Sequence, residues 1–311
     1  MPSMRALYMP TDPARKADRT MSCSRARTEP MSPQSVSRPT VSAVVTSCRR
    51  FDLLEKTLRS FLEHNDYPLD EMIVIEDSDD SGIYAIEPLL QGVPHRIILN
   101  GGNIGQIASI DKAYAEVRSD YIFHMEDDWQ FTRRGFIGRA IEILEAEPEA
   151  ILVTVRDDAD MPRYVRSLRT RHTATASYKL AFPELHFRWH SFTFNPGLLR
   201  TRDYRALPAG YRGLGDEVLI SRHYKAMGKD LAWLMGGGVK HVGGDRSSYG
   251  GGSGYRRSSS SSPLRLFRRG NLRKWRESLK RHFWHGLRLM GIDTEPLQRK
   301  KHRNGARSGS M

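Results

Sequence analysis

From Val41 onward the chain alternates between two textures. Short apolar, β-branched runs end in polar residues: VSAVVTS (41–47), MIVIEDS (72–78), RIILN (96–100), DYIFHMEDD (120–128) and ILVTVRD (151–157). Between them lie stretches with apolar residues every three or four positions, such as DLLEKTLRSFLEH (52–64), residues 105–117 and GFIGRAIEILEAEPEA (135–150), with a shorter helix near Tyr84 to Leu90. Strands that are apolar on both faces and separated by helices predict a mostly parallel sheet covered on both sides. The fold class is therefore α/β, a Rossmann-like sheet flanked by helices. Ligands of such sheets bind outside the carboxyl ends of the strands, so the polar strand ends are where chemistry is expected.

After residue 157 the pattern loosens into an Arg- and aromatic-rich stretch, 163–189. It resumes with SFTFNPGLLR (191–200) as strand and turn, GLGDEVLISRHYKAMG (213–228) as a helix opening on a glycine turn, and LAWLMGGGVKHVGG (231–244) as a strand ending in His241. Residues 1–39, rich in Ser, Pro and Arg, carry no period and read as a disordered tail. GGGSGYRRSSSSS (250–262) reads as a flexible linker, followed by Leu272, Trp275, Leu279, Phe283, Leu287 and Met290 at helical spacing among basic residues. The expected organisation is a tail at 1–39, a folded domain at 40–251 and a linker with a basic amphipathic helix at 252–311. Within the domain the loosening of the pattern divides a first half, 40–155, from a second, 156–251, which is where an acceptor substrate is expected to bind.

The net charge of +13 first suggests nucleic acid, but its distribution removes that reading from the core. Lys and Arg outnumber Asp and Glu by 7 to 3 in residues 1–39 and by 16 to 3 in 252–311, while the middle holds 26 against 30. No specific nucleic-acid partner is expected. The two cysteines, Cys23 and Cys48, form neither a disulfide framework nor a zinc site. No run of 18 apolar residues predicts a membrane span, which makes a cytoplasmic location the default. The basic C-terminal helix suits an anionic membrane surface, so the protein is expected to be peripheral on its inner face; packing back on the domain is the other use of such a helix.

The strongest chemical signal is Glu126-Asp127-Asp128, three consecutive carboxylates after an apolar strand. Adjacent negative charges destabilise a strand end unless a cation sits there, and oxygen ligands suit Mn²⁺ or Mg²⁺ holding substrate phosphates. A solvated acidic turn is the plainer reading of the same residues. Glu76-Asp77-Ser78 ends a second strand, expected to lie beside the first, where carboxylates can accept hydrogen bonds from a ribose or base. Asp77, Ser78, Asp79 and Asp80 also have the composition of a turn or helix cap. Lys112, Arg163, Arg166 and Arg169 could neutralise a diphosphate or an anionic acceptor, or simply be surface charge.

These features together resemble the nucleotide-binding half of a GT-A fold glycosyltransferase, most like family 2. The resemblance runs from Val41 to about Val155 and rests on VSAVVTS with Arg49-Arg50, Glu76-Asp77-Ser78, Asn103-Ile104-Gly105 with Ala108, and Glu126-Asp127-Asp128 in the DXD position. It implies that Thr46 and Arg49 border the base and that Asp77 contacts base or ribose. It further implies that Asp127 lies beside ribose and metal, and that Asp128 coordinates the metal bridging the diphosphate. Glu76, Asn103, Lys112 and Glu126 join the donor side. Glu126 stands where many members have the first Asp, a variant typical of N-acetylglucosaminyltransferases of this fold, and an Asp-Asp-x-Ser pattern is usual where Glu76-Asp77-Ser78 stands. Gly215-Asp216-Glu217 resembles the element that supplies the general base, with Glu217 the candidate and Asp216 beside it; both also suit a first helical turn. His241 stands where some members place a further metal ligand.

The resemblance implies an inverting transferase with a nucleotide-sugar donor, a UDP-sugar foremost, Mn²⁺ or Mg²⁺, and a glycan, lipid-linked or other hydroxyl acceptor. A nucleotidyltransferase of similar fold is the alternative enzyme, but the first strand runs into Thr46-Ser47-Cys48-Arg49-Arg50 without the expected phosphate-loop glycines. A nucleic-acid binder using the basic tails is the alternative outside enzymes.

Overall fold

The computed structural model describes residues 38–185 and 192–244, and those from Pro39 onward belong to one compact unit. The N-terminal tail, the linker and the amphipathic stretch 272–290 lie outside the described residues, as does the expected domain end near Gly251. Among the described residues no helix is long and apolar enough to cross a membrane.

The first half runs β1 (Val41–Ser47), α1 (Phe51–His64), β2 (Glu71–Glu76), a 3₁₀ segment (Ser81–Leu90), β3 (His95–Leu99), α2 (Gln106–Glu116), β4 (Tyr121–Glu126), β5 (Trp129–Phe131), α3 (Phe136–Ala146) and β6 (Ala150–Thr154). The second runs α4 (Arg163–Arg166), β7 (Thr170–His172), β8 (Ser177–Ala181), β9 (Gly197–Arg200), α5 (Thr201–Arg205), α6 (Glu217–Ala226), β10 (Asp230–Leu234) and β11 (Val239–His241). Among the described residues nine strands form one sheet in the order β3-β2-β1-β4-β9-β6-β10-β8-β7, while β5 and β11 make a separate two-stranded sheet.

β1 shows why the runs are continuously apolar. Val41, Ala43 and Val45 point to a core shared with Leu54, Leu58 and Phe61 of α1 and Phe136 and Ile137 of α3. Val44 points the other way, to Ile110 and Tyr114 of α2 and Tyr204 and Tyr211. Both faces are thus covered, and every β1 residue is buried.

Four differences from the sequence reading bear on the site. The ends of β2 and β4 are not neighbours, because β1 lies between them: Thr46 is level with Glu126 and Ser47 with Glu76. The stretch after residue 163 holds two strands that periodicity did not reveal, β7 and β8, which extend the sheet antiparallel beyond β10. β9 is inserted antiparallel between β4 and β6, interrupting the parallel order. Finally, the run 231–244 is two strands: residues 235–238 turn through Gly236 and Gly238, both at positive φ, and deliver β11 to β5.

The loop before α6 is tied back to the first half by one side chain. Asp111 of α2 accepts hydrogen bonds from the backbone N–H of Tyr211 (2.9 Å) and Arg212 (2.8 Å) and from the Tyr204 hydroxyl (3.0 Å). Asp111→Ala strands these donors and is expected to lower unfolding free energy by roughly 1–3 kcal/mol. In a urea titration the midpoint should fall with the slope unchanged; an unmoved midpoint would show that the loop is held by other contacts.

Candidate functional site

The carboxyl ends of β1 and β4, the loop before α2 and the β5–β11 sheet enclose a cavity of about 940 Å³. Thr46, Asp77, Asn103, Glu126, Asp127, Asp128 and His241 line it together, although the sequence scatters them over 196 positions. Glu76, Arg49, Lys112, Asp216 and Glu217 do not line it.

Asp127 and Asp128 lie just past β4, at 1% and 6% exposure. Thr57 of α1 fixes their backbone: its hydroxyl donates to the Asp127 carbonyl (2.8 Å) and accepts the Trp129 N–H (3.0 Å). Their charge is met by Arg50, the residue preceding α1. Its Nε and Nη2 grip the two oxygens of Asp127, and its Nη1 donates to Asp128 Oδ2 at 2.8 Å. Sequence reasoning named Arg49 for this site. Arg49 instead turns outward, pairs with exposed Asp79 and takes up φ +54°, in the left-handed region. Its N–H donates to Glu76 Oε1 (2.9 Å), which also accepts the Ser78 hydroxyl (2.5 Å). Glu76 therefore holds the turn that presents Arg50, from beneath the cavity. The doublet Arg49-Arg50 was visible in the sequence, but which member faces inward depends on that turn.

Asp77 spends its carboxylate on the loop that opens α2, accepting the N–H of Ile104 (2.7 Å) and Gly105 (2.9 Å) and the Asn100 amide (3.1 Å). Gly105 sits at φ +94°, which only glycine adopts readily, and this lets two successive N–H groups converge on one carboxylate. The Asn103 amide reaches the Asp77 carbonyl (3.3 Å). Lys112 is exposed and donates to Asn100 Oδ1 (2.9 Å).

His241 arrives through the β5–β11 ladder, where it pairs with Trp129. Its Nε2 stands 3.2 Å from Asp128 Oδ2, and the Val242 N–H donates to the Asp128 carbonyl (2.8 Å). Gly243 leaves room for this approach: a Cβ there would lie 2.5 Å from Asp128 Oδ2 and 3.0 Å from His241 Nε2. A carboxylate and an imidazole can hold a divalent ion that takes its remaining ligands from phosphate or water. Among the described residues no group of three His, Cys, Asp or Glu side chains could hold a metal ion.

Asp216 caps α6, accepting the Leu219 N–H (2.9 Å). Glu217 follows it at the helix start. The residue keeps solvent access, but its carboxyl is desolvated and its pKa is pushed up, a shift that the Thr193 hydroxyl and Arg156 oppose. Arg156, which sequence reasoning passed over, lines the cavity with its guanidinium carbon 5.4 Å from the Trp129 ring centre and 5.8 Å from that of Trp233. Its Nη2 pairs with Asp160 at 3.2 Å.

Glu126 accepts from the Gln106 amide (2.6 Å) and the Trp129 indole N–H (3.3 Å). Desolvation, then Asp128 and Glu217, push its pKa up to about 8. Desolvation raises Asp127 to about 6 against the pull of Arg50. A carboxyl whose pKa is higher folded than unfolded contributes stability at low pH and loses it as pH rises through the folded value. Glu126→Gln should therefore gain stability over the wild type as pH rises from 5 through about 8, the Gln106 amide turning over to accept from the new side chain. Thermal denaturation in EDTA across that range checks this; parallel curves for the two proteins would refute the raised value.

The family model described as Glycosyl transferase family 2 matches residues 42–208, more than half of the chain. No curated protein matches. Among solved structures, a mannosyltransferase from Pyrobaculum calidifontis, PcManGT, in complex with GDP-Man and Mn²⁺ aligns at 16% identity and TM-score 0.48, over 64% of this chain and 57% of its own. TarS 1–349 of S. aureus aligns at 11% identity and TM-score 0.47, over 63% and 58%. GalNAc-T7 with UDP, GalNAc and Mn²⁺ aligns at 12% identity and TM-score 0.49, over 65% and 44%. The chain thus spans less than two thirds of each of these structures. With the family model covering the acidic strand ends Glu76–Ser78 and Glu126–Asp128 within more than half of the sequence, the chain belongs to glycosyl transferase family 2.

Proposed function

We propose that the protein is an inverting hexosyltransferase that moves a sugar from a nucleotide diphosphate donor, a UDP-sugar foremost, to a hydroxyl acceptor. The observation that carries this reading is the convergence of Asp127, Asp128 and His241 on one wall of the cavity. Asp128 and His241 are the residues that would hold Mn²⁺ or Mg²⁺, and the ion would offset the charge of the departing diphosphate. Thr46, Asp77 and Asn103 line the side assigned to base and ribose, with Asp127 beside the ribose. Ser47 Oγ, buried without a hydrogen-bond partner, adds an uncommitted polar group to that wall.

Glu217 is the base. It takes the proton from the acceptor hydroxyl as that oxygen attacks the anomeric carbon, and the bond from that carbon to the diphosphate oxygen breaks on the opposite face. The configuration inverts in this single displacement. Asp216 serves it as the helix cap, and Arg156 pulls the Glu217 pKa back against desolvation, favouring the ionised form a base requires. The basic stretch expected at 272–290 would hold the enzyme on an anionic membrane surface and suits a lipid-linked acceptor.

Calorimetric titration of UDP and of GDP into the full chain, with Mn²⁺ and with EDTA, tests the donor site. One nucleotide should bind only with the ion, and Asp128→Ala should abolish that binding. Binding indifferent to EDTA and to the substitution would remove Asp128 from the metal site. Glu217→Gln should lower kcat by roughly 10² to 10⁴-fold, the usual range for a general base, with nucleotide affinity unchanged. A variant that kept wild-type kcat would exclude Glu217 as base.

A further inference from the structure

Arg50 and the divalent ion assigned to Asp128 and His241 have a claim on the same atom. Asp128 Oδ2 accepts the Arg50 Nη1 donor at 2.8 Å and faces His241 Nε2 at 3.2 Å. The other two Arg50 nitrogens, Nε and Nη2, are engaged with the two oxygens of Asp127. The guanidinium is therefore anchored as a fork on one carboxylate and reaches the second with its remaining amine. Losing the contact to Asp128 would leave the fork in place.

We propose that Arg50 is a movable cation of the donor site, which surrenders Asp128 Oδ2 to the divalent ion and turns Nη1 to the donor diphosphate. This rests on the reading of Asp128 and His241 as metal ligands. A divalent ion arriving alone must break a charge-assisted hydrogen bond and settle beside a guanidinium that is only partly exposed, at 15% of its side-chain surface. A nucleoside diphosphate removes both penalties, since its oxygens take the freed Nη1 donor and ligate the ion. Arg50 thus makes ion and nucleotide bind as a pair, each strengthening the other through a shared intermediary. The turn at Arg49, held by Glu76 at φ +54°, sets the base of the Arg50 side chain and confines its motion to the far end.

The test is Mn²⁺ binding to the full chain, followed by electron paramagnetic resonance of the free ion, with and without UDP or GDP. Without nucleotide, Arg50→Met should bind Mn²⁺ roughly tenfold more tightly than the wild type, within the usual span of such couplings. The same variant should lose affinity for the nucleotide. Arg50→Lys, which keeps the charge without the fork, guards against a misfolded methionine variant, and it too should bind Mn²⁺ alone more tightly than the wild type. Circular dichroism establishes that each variant is folded. If the wild type takes up Mn²⁺ with nucleotide but neither Arg50 variant binds the bare ion more tightly, Arg50 does not compete and the inference fails by itself. If no protein binds Mn²⁺ under any condition, the metal site and the inference fall together.

Discussion

Two adjacent carboxylates set below the surface at a strand end repel each other and lose their hydration, and the fold around them has to supply positive charge or protons. Arg50 supplies the charge to Asp127 and Asp128. Desolvation and the neighbouring carboxylates push the pKa of Glu126 up to about 8, which disfavours a third charge there. The surrounding architecture serves that arrangement. Glu76 fixes the turn that aims Arg50, Thr57 fixes the backbone of the acidic pair, and the bare Gly243 lets His241 close on Asp128. A change at any of these positions is felt first as a change in how the buried acids are compensated.

The two halves of the unit contribute differently. Residues on β1, β4 and the loop before α2 line the cavity from within the stretch that the family model covers. The lining also includes Arg156, Asp157 and Asp160, which follow β6, and Lys240 and His241 on β11. Those segments belong to loops and short strands, whose sequence is free to vary without disturbing the sheet.

Elements whose cause is local were readable from sequence. VSAVVTS and DYIFHM are apolar on both faces because both faces are buried, and Glu126-Asp127-Asp128 stands out against such a run. The pairing of β9 between β4 and β6 was not readable, because four residues, Gly197 to Arg200, carry no mark of which strands they will join. The strands β7 and β8 were hidden for a similar reason: three and five residues are too few to show a period. At the site, the carboxylates announced themselves by clustering. Arg50 did not, since the choice between it and Arg49 is made by the hydrogen bond that the Arg49 N–H donates to Glu76, 27 positions away.

The β5–β11 ladder joins Trp129 to His241, and His241 meets Asp128 across 113 positions of chain. A chain emerging from the ribosome exposes the acidic pair long before the histidine that faces it. Arg50 comes out earlier than either. During synthesis the acids can therefore be neutralised by a partner already made, and the first half can collapse around them without waiting for β11. The order of residues along the chain spares the nascent protein a period of uncompensated charge at its centre.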